Sequence, residues 1–177
     1  MKPEIDTDCA TLRIEIPAGS IIRYDITETG EIKVKYFQSM PVCYPANYGS
    51  LINTLAADND PLDALVITRE PLFPGSLIDV RIIGYLAMTD GGVQDDKLIT
   101  VPTHAVDPFY SPIYDIEHLA PAELQRIEAF YQSYKLLPAG RKTVVLNGFR
   151  SAQAAAILLA EARMAFCRQQ EKLLAVN

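Results

Sequence analysis

The sequence predicts an α+β fold that is mainly β, in which strands pack with late helices or close into a barrel with the helices outside. Two observations support this prediction. Short segments with strand-like alternation fill the first two thirds of the chain, whereas helical periodicity follows near the end. Because the chain has 177 residues and no obvious linker, we expect one domain covering residues 1–177.

Seven segments are predicted as strands, because apolar and polar residues alternate in them or because apolar residues run together between turn residues. They are residues 12–16, 21–26, 32–36, 64–68, 77–86, 97–101 and 143–147. Residues 27–30 are predicted to form a hairpin loop. In the second strand, Arg23 and Asp25 are expected on one face.

Two helices are predicted to follow these strands. Pro121 suits the first position of a helix, which is expected to end before Pro138. Ser151 is a suitable cap for a second, alanine-rich helix that reaches about Leu174. The first helix carries an apolar stripe at spacings of three and four, formed by Leu124, Ile127, Tyr131 and Tyr134.

Charge and cysteine content argue against several protein classes. The formal net charge is −6, which is unlike a dedicated nucleic-acid binder. Cys9, Cys43 and Cys167 are widely spaced, as expected for free thiols in a reducing compartment. Residues 1–6 are charged and lack the apolar core of a signal peptide, and no apolar stretch is long enough to span a bilayer. We therefore expect a cytoplasmic protein without a membrane partner.

The run Asp-Asn-Asp-Pro-Leu-Asp at residues 58–63 is the main candidate for chemistry. If the backbone is extended there, Asp58 and Asp60 project to the same side. Carboxylates this dense repel one another unless cations separate them, and oxygen ligands suit Mg²⁺ or Mn²⁺. The same residue types also favour a solvated turn, because Asp and Asn side chains imitate backbone turns. From this motif alone, a turn and a metal site are both open.

Other candidates have equally plain structural interpretations. Asp90 and Asp95 flank a Gly-Gly pair, which is typical of a hairpin turn. Tyr48 and Tyr134 are suited to core packing, and Lys135 lies near a helix C-terminus, where a cation is favourable.

Six segments together resemble family I soluble inorganic pyrophosphatases, in order and in spacing, over most of the chain. They are Ile-Glu-Ile-Pro-Ala at 14–18, Tyr-Pro-Ala-Asn-Tyr-Gly at 44–49, the 58–63 run, Met-Thr-Asp at 88–90, Asp-Asp-Lys at 95–97 and Tyr-Lys at 134–135. Because the 58–63 run occurs together with the other five segments, it is interpreted as a metal site.

The resemblance implies an OB-like twisted five-stranded β-barrel with two C-terminal helices packed outside, and a homohexamer. It also implies metal-dependent hydrolysis of pyrophosphate to two phosphates with Mg²⁺, or Mn²⁺, as the cofactor. The expected partners are pyrophosphate and phosphate, with no nucleic acid.

Site roles follow from the same resemblance. Asp60 resembles the general base for the attacking water. Five carboxylates resemble metal ligands: Asp58, Asp63, Asp90, Asp95 and Glu15. Five further side chains resemble phosphate ligands: Arg23, Tyr48, Lys97, Tyr134 and Lys135.

The chain also departs from the family pattern at the phosphate clamp. Arg23 stands where the family has a lysine, and Asp25 where it has a glutamate. Tyr36 replaces a phosphate-clamping arginine, and Gly91 replaces a glutamate often found beside Asp90. In a regular strand Lys35 points away from the face of Tyr36 and does not substitute for that arginine. We expect slow hydrolysis or an altered substrate preference.

Two alternatives to an active enzyme remain at this point. The altered clamp is compatible with a silent paralogue that binds metal or phosphate and acts through assembly. An OB-like nucleic-acid module is disfavoured by the acidic charge and the lack of a basic aromatic strip.

Overall fold

The computed structural model describes residues 8–27 and 29–175. The predicted N-terminal features at residues 1–6 and Glu28 of the predicted hairpin loop lie outside these residues. The strands are β1 (Cys9–Ile16), β2 (Ile22–Ile26), β3 (Ile32–Phe37), β4 (Asn47–Leu51), β5 (Asp63–Val66), β6 (Leu77–Asp90), β7 (Val93–Gln94), β8 (Lys97–Pro102) and β9 (Val144–Ser151). The helices are α1 (Pro121–Ser133) and α2 (Ala152–Ala175), with short 3₁₀ turns at Pro108–Tyr110 and Ile116–His118.

Five strands close into a barrel, which confirms the predicted architecture. The order is β1, β4, β5, β8 and β6, and β6 returns to pair with β1. The sheet is mixed, because β5 and β8 run parallel while the other barrel pairs are antiparallel. The strands β7 and β9 extend the sheet beyond β6, and β2 with β3 forms a separate two-stranded sheet.

The core lies on both faces of the barrel wall, because alternate residues of a strand point to opposite sides. In β5, Leu65 belongs to one buried cluster, whereas its neighbours Ala64 and Val66 belong to the other. The helix α1 completes the first cluster with Ile127 and other side chains, and α2 completes the second. Each helix therefore packs against the strands and completes one of the two clusters.

The strand β4 was not predicted from the sequence, because its residues Asn-Tyr-Gly-Ser-Leu do not alternate cleanly. Gly49 is required there, since the Arg13 carbonyl of β1 occupies the space of a Cβ atom. Asn47 is fully buried, and its side chain accepts hydrogen bonds from the backbone of Ala18 and Leu72. This segment holds two loops against the barrel.

Most predicted strand boundaries agree with the structure within two residues, and three differ by more. The strand β1 begins at Cys9 rather than at Leu12. The strand β6 continues past Leu86 to Asp90, because it pairs with β7 and β9 as well as with the barrel. The strand β9 continues past Asn147 to Ser151. The Ser151 hydroxyl accepts a hydrogen bond from the Ala154 backbone at 3.4 Å, in agreement with its predicted capping role.

Candidate active site

Two adjoining cavities contain all eleven side chains predicted for the site. The larger, of about 650 Å³, is called the acidic cavity after its six carboxylates, Glu15, Asp58, Asp60, Asp63, Asp90 and Asp95. The smaller, of about 190 Å³, is called the tyrosine cavity after Tyr36, Tyr44, Tyr48, Tyr131 and Tyr134. Both cavities are lined by Arg23, Tyr48, Asp63 and Asp95. Lys97 and Lys135 line the tyrosine cavity.

The segment containing Asp58 and Asp60 is a turn rather than an extended strand. Asn59 adopts the left-handed conformation, with a φ of 68°, and the Asp60 backbone N–H donates to Asp58 Oδ1 at 3.1 Å. Both aspartates are solvent-exposed and nevertheless line the acidic cavity. The predicted turn and the predicted grouping of carboxylates therefore occur together.

The barrel register brings Lys97 between two carboxylates. Asp63 of β5 lies directly beside Lys97 of the parallel strand β8. The Lys97 ammonium lies 2.5 Å from Asp63 Oδ2 and 2.6 Å from Asp95 Oδ1, and only 4% of its side chain is exposed. Although burial lowers the pKa of Lys97, the two carboxylates outweigh burial and raise it overall. The single ammonium ion thus offsets one of the two negative charges of Asp63 and Asp95.

Burial has the opposite consequence for the carboxyl group of Asp95. Desolvation raises the pKa of Asp95, although the nearby Lys97 ammonium acts against this rise. An additional cation beside Asp95 is therefore electrostatically favourable.

Asp90 ends β6 and pairs with Lys135, which follows α1. Asp90 Oδ2 accepts from the Lys135 ammonium, whereas the buried Asp90 Oδ1 has no hydrogen-bond partner among the described residues. A buried oxygen in this state is costly unless another donor or a cation contacts it.

Glu15 and Arg23 form an ion pair at the edge of the barrel. Arg23 Nη2 lies 3.0 Å from Glu15 Oε2, and Ser50 Oγ donates to Glu15 Oε1 at 2.9 Å. Burial raises the pKa of Glu15, although Arg23 and Ser50 oppose the rise. The Arg23 guanidinium also lies 5.6 Å from the centre of the Tyr48 ring. Arg23 thus links the two cavities.

The predicted packing role of the tyrosines agrees with their burial. Tyr48 and Tyr134 are buried, and Tyr134 lies 5.2 Å from Phe130 between ring centres. Burial raises the pKa of each of these two phenols. They therefore remain protonated at neutral pH and can donate hydrogen bonds to an anion, in addition to packing.

Lys35 is expected on the face opposite Tyr36 in a regular strand, but β3 is irregular here and Lys35 reaches the site. The register of β2 with β3 shifts, because Arg23 pairs with Tyr36 while the next residue, Tyr24, pairs with Val34. Lys35 is the extra residue at this irregularity and lines the acidic cavity, whereas Tyr36 lines the tyrosine cavity. The Lys35 ammonium pairs with Asp25 Oδ1 at 3.1 Å.

Two further cations near the site were not predicted. Arg141 shares the tyrosine cavity with Tyr36, and Lys142 lines the acidic cavity. Both belong to the loop that connects α1 to β9. Sequence periodicity gives no signal for them, because the return of this loop to the cavity is a tertiary feature.

The donor set fits a hard divalent cation in its chemistry. Carboxylate oxygens dominate the acidic cavity, and Asp90 Oδ1 is buried without a partner among the described residues. Within residues 8–27 and 29–175, no group of three or more acidic, histidine or cysteine side chains is arranged to hold one ion. The ammonium groups of Lys97 and Lys135 occupy positions next to three of these carboxylates.

In the part of the chain that the structure describes, no helix has the length and apolar character needed to cross a membrane.

Comparisons with known proteins agree with this geometry. The family model for inorganic pyrophosphatase matches residues 12–166. The inorganic pyrophosphatase of Geobacillus stearothermophilus is 46% identical over 149 residues, which cover 84% of this chain and 88% of that protein. The Halalkalibacterium halodurans protein of the same name is 44% identical, with 84% and 89% covered. Among solved structures, the Helicobacter pylori inorganic pyrophosphatase has a TM-score of 0.86 and 35% identity, covering 94% of this chain and 98% of that chain.

Proposed function

The chain belongs to the inorganic pyrophosphatase family, and we propose that it hydrolyses pyrophosphate to two phosphates with the help of Mg²⁺ or Mn²⁺. The observation that carries this proposal is the junction of the two cavities. A carboxylate-rich space adjoins a space lined by tyrosines and cations. The first suits metal ions and an attacking water, and the second suits a phosphate group.

The acidic cavity would hold the cations and the water. Five carboxylates are proposed as metal ligands: Glu15, Asp58, Asp63, Asp90 and Asp95. Bound divalent cations lower the pKa of water and neutralise an anionic substrate. Asp60 is proposed as the general base, because its exposed carboxylate lines the cavity and can take a proton from water there.

The tyrosine cavity would receive the leaving phosphate. Arg23 and Lys135 supply positive charge there, and Tyr48 and Tyr134 supply protonated phenols. Lys97 lies between two carboxylates, and we infer that phosphate oxygens take their place as its partners during the reaction. Such charged donors stabilise the negative charge that grows on the leaving group.

A homohexameric assembly is proposed from family membership. It is supported by three exposed apolar side chains of β3, which a subunit interface would cover: Ile32, Val34 and Phe37. Light scattering of the purified protein tests this assembly.

The proposal is tested by phosphate release from Mg-pyrophosphate, with EDTA as the metal-removal control. Asp60→Asn is expected to lower kcat by roughly 10²- to 10⁴-fold, the usual contribution of a general base. Asp79→Asn is the matched control, because Asp79 lies outside both cavities and accepts a hydrogen bond from Thr11. Folded wild-type protein that binds metal without releasing phosphate would favour the silent paralogue instead.

A further inference from the structure

Lys142 lines the acidic cavity from the loop between α1 and β9. It is not among the site residues that the family resemblance predicts. It lines the cavity together with Asp90, Val93 and Gln94 of the β6–β7 hairpin. The backbone next to it is fixed, because the Gly91 N–H donates to the Thr143 carbonyl at 2.9 Å. The loop is thus tied to the hairpin at the position that aims Lys142 at the cavity.

The stem of Lys142 packs on Gly91, and a side chain at residue 91 would force this stem to shift. A Cβ atom on Gly91 would lie 2.9 Å from Lys142 Cδ, 3.2 Å from Cγ and 3.3 Å from Cβ. Gly91 also has a φ of 60°. Residues other than glycine and asparagine rarely adopt this backbone conformation. The glycine therefore serves both the hairpin turn and the approach of the lysine.

The charge of Lys142 has no protein partner among the described residues. Lys135 pairs with Asp90, and Lys97 pairs with Asp63 and Asp95, whereas Lys142 forms no ion pair there. Lys142 is also exposed, unlike the largely buried Lys97 and Lys135. It is thus a cation at the cavity mouth that can bind an incoming anion without first leaving a carboxylate.

We propose that Lys142 is a substrate-binding residue that contacts a phosphate oxygen of pyrophosphate at the mouth of the acidic cavity, with Gly91 as the residue that admits it. This inference rests on the proposed function, because it assumes that pyrophosphate enters this cavity. The same contact serves inorganic phosphate, the product.

The test measures steady-state kinetics and phosphate binding for Lys142→Gln. Because the lysine is exposed, the expected effect is a roughly three- to tenfold rise in KM, below that of a buried charged hydrogen bond. The inhibition constant of inorganic phosphate is expected to rise by a similar factor, while kcat changes less than twofold. Lys142→Arg is expected to retain most of the binding, since it keeps the charge.

Two further variants separate binding from structure. Gly91→Ala displaces the lysine stem and is expected to raise KM as Lys142→Gln does. Lys33→Gln is the matched control, because Lys33 is an exposed lysine of β3 that lines neither cavity. An unchanged KM and phosphate constant in Lys142→Gln overturns the inference, as does a fall in kcat alone.

Calorimetry separates failure of this inference from failure of the proposed function. If the wild type shows no turnover, the wild type and Lys142→Gln are titrated with pyrophosphate in the presence of Ca²⁺. This titration still tests whether Lys142 contacts pyrophosphate. Weaker binding by the variant supports the contact, and equal binding overturns it.

Discussion

The site formed by the two adjoining cavities has two walls that are built differently. The barrel wall is defined here as Asp63, Asp95 and Lys97. Asp63 and Lys97 belong to β5 and β8, which pair with a strand on each side, and Asp95 lies just before β8. The hairpin wall, defined as Arg23 and Lys35 of the β2–β3 sheet, belongs to a two-stranded sheet whose register shifts. Lys97 is buried, whereas Lys35 is exposed.

This difference indicates how strictly each wall fixes the position of its charges. On the barrel wall, a register change of one residue would move Lys97 to the opposite face of the sheet, so its position is strictly determined. On the hairpin wall, an irregularity at Lys35 lets two successive residues, Lys35 and Tyr36, line the site. Residues 23, 25 and 36, where the resemblance predicts departures from the family pattern, all lie on these two strands.

The largest effect on stability is expected from Lys97→Met on the barrel wall. The variant leaves Asp63 and Asp95 without their shared ammonium. We expect a loss of about 2 kcal/mol in the free energy of unfolding in EDTA, less than for a fully buried pair because both carboxylates are partly exposed. Mg²⁺ should recover part of this loss, since it neutralises the same carboxylates. Urea unfolding with and without Mg²⁺ measures both effects, and an equal loss in both conditions would instead indicate a packing role.

An intermediate effect, on activity, is expected at Arg141. Because Arg141 shares the tyrosine cavity with Tyr36, it can supply the cation that β3 lacks there. Arg141→Gln should lower kcat/KM roughly tenfold, the lower range for one charged hydrogen bond. Tyr36→Arg should restore most of that loss in the Arg141→Gln background and gain less in the native chain. If no cation compensated for Tyr36 at the phosphate-binding site, Tyr36→Arg alone would instead raise kcat/KM strongly.

The kcat/KM values of the wild type, the two single variants and the double variant form a double-mutant cycle. This cycle tests whether residues 36 and 141 are coupled. Arg126→Gln is the matched control, because Arg126 is an exposed arginine of α1 outside both cavities. Purely additive effects of the two substitutions would show that Arg141 does not compensate for Tyr36.

The smallest effect is expected from Lys35→Gln on the hairpin wall. The pair of Lys35 with Asp25 has side chains that are 47% and 44% exposed. Solvent screens such a pair, so the free energy of unfolding should fall by less than about 1 kcal/mol. Urea unfolding beside Lys97→Met provides the direct comparison of the two walls. A loss from Lys35→Gln as large as that from Lys97→Met would remove the distinction.

Residue periodicity and helix-capping residues predicted much of the fold, because both depend on interactions between residues that are close in the chain. Alternation identified β1, whereas β5, β6 and β8 were identified as apolar runs, which are typical of strands that are buried on both faces. Pro121 and Ser151 identified the starts of both helices. The strand β4 was missed because its glycine serves the close approach of β1, which is a property of the partner strand.

The sequence by itself identified eleven of the charged and phenolic side chains that line the two cavities, through motifs whose residue types suit phosphate and metal chemistry. Only the tertiary structure decided their pairing. The parallel register places Asp63 beside Lys97, the irregular β2–β3 pairing turns Lys35 inward, and the loop after α1 brings Lys142 onto Gly91. These contacts join residues far apart in the chain or depend on strand register, and local periodicity contains no information about either.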